Sequence, residues 1–96
     1  LIDPRTVDPL DMNLILHSLA KTGKILIVHE APAECGIGAE IVRRIAAEGF
    51  DYLDCPPIVL GGKNIPTPFS PPLEDFVLPS AEEIAGNILA LTRNQL

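Results

Sequence analysis

Tryptophan is absent, and tyrosine and methionine occur once each, so aromatic side chains make up only 4% of the 96 residues. Any core must therefore be built from aliphatic branches, without large ring surfaces. Positive charge is scarce as well: seven Lys and Arg stand against thirteen Asp and Glu, a formal net charge of −6. No cluster of basic residues offsets that field locally, which excludes nucleic acid as a partner, because phosphate backbones are repelled. Long apolar runs are missing too. The longest strongly apolar stretch is Ile25 to Val28, far short of the roughly 18 residues that cross a bilayer, so no membrane association is expected. Cysteine is limited to Cys35 and Cys55, and the N-terminus has no basic segment followed by an apolar one. A reducing compartment fits this usage, the cytoplasm or, in a eukaryote, the mitochondrial matrix.

What the chain does contain is aliphatic surface. Hydrophobic residues reach 47% and the mean hydropathy is +0.28, above the roughly 45% of a soluble domain with ordinary charge. A chain of this length makes one domain over residues 1–96 and buries only about 60–65% of its unfolded surface. The surplus suggests apolar surface kept for a partner.

Leu1-Ile2-Asp3 reads as the end of a strand, closed by Pro4, so the domain is expected to be incomplete at its N-terminal edge. A helix follows, capped either by Asp8 with Pro9 at its first position or by Asp11 one turn later. Met12, Ile15, Leu16 and Leu19 make its apolar stripe, and Gly23 suits a left-handed residue after Thr22. Lys24 to Glu30, KILIVHE, is a near-continuous apolar run and predicts a central strand covered on both faces. A second helix after Gly36 and Gly38 turns Ile41, Val42, Ile45 and Ala46 inward, with Glu40 and Arg44 one turn apart on its surface. Ile58-Val59-Leu60 predicts another buried strand, ended by Gly61-Gly62. Pro66, Pro68, Pro71, Pro72 and Pro79 then predict a stiff, extended wrapping segment without regular structure. Ser80 and Glu83 form a capping box that opens the last helix, with Ile84, Ile88 and Leu89 on its stripe. The alternation predicts an α/β fold of three layers, helices on both sides of a mostly parallel sheet with right-handed crossovers.

Four groups of residues bear on chemistry. Cys35-Gly36-Ile37-Gly38 joins a strand to a helix and invites a phosphate-cradle reading, but Ile41 stands where the dinucleotide fingerprint wants a third glycine; a tight turn for helix–sheet packing is the competing explanation. His29 and Glu30 end the central strand at its carboxyl edge, where open α/β sheets place ligands. Neighbours on a strand point to opposite faces, so the pair reads as a loop-holding hydrogen bond or a subunit contact and not as an acid–base couple. His17, His29, Cys35 and Cys55 lack metal-ligand spacing. Asp51 and Asp54 flank Tyr52-Leu53 before Pro56-Pro57, as a solvated connector or an acidic rim for a basic partner.

The segments IDPRT-x-x-PLD, KTGKILIVHEAP, GIGAEI, FDYLD-x-P, PTPFSPPLE and LPS, in that order, resemble the C-terminal domain of the beta (E1 beta) subunits of thiamine-diphosphate-dependent 2-oxo acid dehydrogenases. The resemblance implies the transketolase C-terminal fold, with an initial strand and helix preceding Leu1. It also implies that thiamine diphosphate and its magnesium are bound elsewhere in the intact enzyme, so no catalytic, cofactor or metal residue is carried onto these positions. The implied role is assembly with an E1 alpha subunit and a second beta subunit, and docking of the peripheral-subunit-binding domain of the E2 acyltransferase. Docking maps to Asp54 and Leu96, while His29, Glu30, Pro68 and Phe69 are assigned to subunit contact or loop ordering. Pro4, Cys35 and Lys63-Asn64 depart from the usual pattern, whereas PTPFSPPLEDFVLP looks more like the pyruvate or acetoin types than the branched-chain type. Two other readings compete: the C-terminal domain of a transketolase or deoxyxylulose phosphate synthase, and a small nucleotide-binding regulatory domain using Cys35 to Gly38.

Overall fold

The computed structural model describes residues 1–66 and 69–93. The order of elements is α1 (Met12–Thr22), β1 (Leu26–Pro32), α2 (Ile37–Glu48), a 3-10 turn (Phe50–Tyr52), β2 (Ile58–Gly62), α3 (Pro71–Val77) and α4 (Ala81–Thr92). β1 and β2 pair in parallel, Leu26 opposite Ile58 and Val28 opposite Leu60, with α2 as the crossover between them. The register then slips, so that Pro32 faces Gly62 and β1 carries the extra residues as a bulge.

Asp11, not Asp8, caps α1. Its Oδ1 accepts the Leu14 N–H at 3.1 Å, and the Gly23 N–H donates to the Leu19 carbonyl at 2.7 Å with φ of 71°. Both ends of the helix are thus closed by the residues that suit them. Ile15 and Leu19 of α1 interlock with Ile41 and Ile45 of α2 to form the main core, edged by Leu10, Met12, Ile25, Ile27 and Leu53. Gly38, on the first turn of α2, lets that helix approach the sheet: a Cβ there would stand 2.6 Å from Val59 Cγ1 and 2.7 Å from His29 Nε2. Close packing accounts for this glycine. Along the outer face of α2, Glu40 accepts from Arg43 at 2.7 and 2.9 Å and from Arg44 at 2.8 Å.

Three expectations are corrected. Leu1-Ile2-Asp3 is not a strand: β1 and β2 are the only strands among the described residues, and the arm carrying Ile2 lines the groove beside the free edge of β1 without pairing to it. β1 is not a central strand: among the described residues it has one hydrogen-bonded neighbour, in a two-stranded sheet, and Val28 is 42% exposed. The proline-rich segment is not wholly irregular. Pro71 and Pro72 occupy the first positions of α3, where a missing N–H breaks no helical hydrogen bond.

Candidate functional site: the carboxyl edge and two aromatic ridges

The carboxyl ends of both strands and the loop from Ala31 to Gly36 form one edge of the molecule. His29 Nδ1–H donates to the Ala31 carbonyl at 2.8 Å. The His29 Nε2 is buried without a partner, and the ring is enclosed by Gly36, Gly38 and Gly61. The bond to Ala31 ties the ring to the loop backbone, while another part of the half-buried His29 side chain lines the apolar groove beside β1. Glu30 is exposed and makes no bond to His29. The two residues therefore do not act on one atom, as alternation along a strand requires. Glu34 accepts from the Asn64 amide at 2.7 Å and ties the same loop to the segment after β2.

The first ridge is the turn after α2. Phe50 is 69% exposed, and Asp51, Tyr52 and Asp54 are exposed beside it, while Leu53 turns inward against the main core. Asp54 is placed by its backbone: its N–H donates to the Gly23 carbonyl at 2.8 Å, and its carboxylate lies directly against the Gly23 Cα. A carboxylate at the C-terminal end of α1 adds to the negative partial charge of the helix end, and no cation pairs with it among the described residues. The spot is a locally negative patch on the surface.

The second ridge is α3, with Phe69 fully exposed, Leu73 and Phe76 more than half exposed, and Lys63 Nζ 4.5 Å from the centre of the Phe76 ring. Beside it lies a cleft of about 400 Å³ whose walls include Glu30, Glu74, Lys63, Ile65, Val77 and Leu78. Pro68 and Leu96 lie outside the described residues. The helical face of α3 was missed in the sequence because its prolines masked the spacing of Leu73, Phe76 and Val77.

A thiamine diphosphate or magnesium site does not fit these residues. Among the described residues no three His, Cys, Asp or Glu side chains converge to hold a metal ion, Cys35 and Cys55 are both free thiols, and Gly36 and Gly38 face the His29 ring. No chemical step is derived through either group.

The sequence aligns with the protein family described as "Transketolase, C-terminal domain" over residues 1–84. It is 35% identical over 91 residues to the pyruvate dehydrogenase E1 component subunit beta of Rhizobium meliloti, covering 95% of this chain and 20% of that protein. Identity is 40% over 87 residues to the same subunit of Rickettsia bellii, covering 91% and 27%. To the acetoin:2,6-dichlorophenolindophenol oxidoreductase subunit beta of Bacillus subtilis it is 41% over 90 residues, covering 94% and 26%. The chain therefore spans about a quarter or less of the length of these curated relatives. A parallel strand pair crossed by α2, its glycine-tight helix start and this match over most of the chain together show that the protein belongs to the transketolase C-terminal domain family, in which its relatives are beta subunits of pyruvate and acetoin dehydrogenases.

Proposed function

We propose that this chain is the assembly and docking portion of the beta subunit of a 2-oxo acid dehydrogenase E1 component, an oxidoreductase that decarboxylates pyruvate or a related 2-oxo acid with thiamine diphosphate and magnesium held elsewhere in the complex. The observation that carries the reading is the placement of the aromatics. All four, Phe50, Tyr52, Phe69 and Phe76, are at least 45% exposed, and none enters the core. Exposed aromatics in clusters are the usual anchors of protein interfaces, not features of a free surface. The partners on this reading are an E1 alpha subunit, a second beta subunit, and the peripheral-subunit-binding domain of the E2 acyltransferase. The last seats a basic group on Asp54 near the end of α1, with Leu96 as a second contact. The compartment is the cytoplasm or the mitochondrial matrix.

The test is titration calorimetry of the full-length beta subunit, in its complex, against the isolated peripheral-subunit-binding domain. Asp54→Asn is expected to weaken binding at least tenfold, about 1.4 kcal/mol, and to flatten its salt dependence. Unchanged affinity would remove Asp54 from the docking site.

A further inference from the structure

The ridge on α3 is separate from the Asp54 turn and needs its own occupant. Leu73 and Phe76 are adjacent on one side of the helix, Val77 takes the core side, and Phe69 and Ile65 extend the apolar strip. The charge around it is one-sided: from residue 63 to 83 a single cation, Lys63, stands against Glu74, Asp75, Glu82 and Glu83. Lys63 is drawn onto the Phe76 ring, and among the described residues no cation pairs with Glu30 or Glu74 on the walls of the adjoining cleft. That cleft combines two carboxylates and one cation, Lys63, with Ile65, Val77 and Leu78, and with Lys63 turned to Phe76 it leaves a net negative, apolar-walled space that matches a side chain with an apolar stem and a cationic head. A second copy of this chain is a poor complement, because it would bring the same carboxylates against one another.

We infer that the α3 ridge and its cleft seat a non-identical subunit of the same assembly, one presenting apolar side chains and an Arg or Lys that enters between Glu30 and Glu74. The inference rests on the assembly reading above and adds the surface and the chemistry of the partner. Apolar contact at Phe69, Leu73 and Phe76 supplies the anchors, and the cleft supplies register and specificity.

The experiment measures the affinity of the full-length beta subunit for its companion alpha subunit by sedimentation velocity. Glu30→Gln with Glu74→Gln is expected to weaken association at least tenfold and to reduce its dependence on sodium chloride. Leu73→Ser with Phe76→Ser, which alters only exposed side chains, is expected to weaken it at least as much, with circular dichroism matching the parent. Unchanged alpha affinity in both variants overturns the inference. So does a loss confined to beta self-association or to acyltransferase binding. If Asp54→Asn leaves acyltransferase binding intact while the Glu30 and Glu74 variant loses the alpha subunit, the docking ridge falls and this surface stands. If the parent beta subunit does not bind the alpha subunit, both fall.

Discussion

At the scale of single residues, the strongest electrostatic feature is Glu40. Its bonds to Arg43 first, and then to Arg44, hold its carboxyl at about 2, below the ordinary value of 4.5. A carboxyl whose folded value is depressed contributes stability above its unfolded value and loses it as the pH falls toward the folded one. Urea unfolding between pH 4.5 and 2 is therefore expected to show a decline that Glu40→Gln removes, with the two proteins converging at the acid end. An identical slope in both would show that the network contributes nothing measurable, as surface pairs often do. The Glu40–Arg44 half of this network is legible as a four-residue spacing. Arg43 stands at the other helical spacing, three residues on, but only the folded side chains show that both arginines converge on the one carboxylate. His29 illustrates the same boundary: strand alternation separates it from Glu30, yet only the folded loop shows that the Ala31 carbonyl accepts its Nδ1–H.

At the scale of elements, caps are the most readable signals. Ser80 Oγ accepts the Glu83 N–H at 3.1 Å, as the capping-box spacing requires, and the Ser80 hydroxyl in turn approaches Glu83 Oε1 at 3.4 Å. Ser80→Ala is expected to cost about 1 kcal/mol, read as a lower urea midpoint with an unchanged slope. A midpoint that does not move would mean that α4 is held by packing alone. The packing available to it is thin: α4 lies against β1, with Leu91 buried and Ile88 and Leu89 about half exposed. α3 marks where element reading fails. Proline density argues against regular structure, but at the first two helical positions proline is permitted, so the same residues that break a helix here begin one.

At the scale of the whole molecule, the chain is a slab of 42 × 32 × 19 Å. Its thin dimension leaves room for one sheet and a single helix thickness on a side, and the core is correspondingly small. The free edge of β1, the arm around Ile2 and Val7, and the sides of α1 and α2 enclose an apolar groove of about 290 Å³. Parallel sheets are normally covered on both faces and flanked by further strands, and here the free edge of β1 and the groove beside it leave apolar surface uncovered. A hydrophobic dye such as anilinonaphthalene sulfonate is expected to fluoresce severalfold more with the isolated chain than with the same residues in the assembled complex. Equal fluorescence would mean that assembly does not cover these surfaces.

Local chemistry by itself determined the α/β alternation, the glycine end of α1, the capped start of α4 and the inward turn of Ile41 and Ile45 in α2, although Ala46, expected on the same stripe, is exposed. Each of these depends on residues close in sequence, where spacing translates directly into a face or a cap. The tertiary structure decided the rest: that β1 ends as an open-edged strand, that α3 forms within the prolines, that Asp54 rests against Gly23, and that every aromatic ring stays outside. Those outcomes depend on which distant segments are present to cover a surface, a competition for burial that no local pattern records.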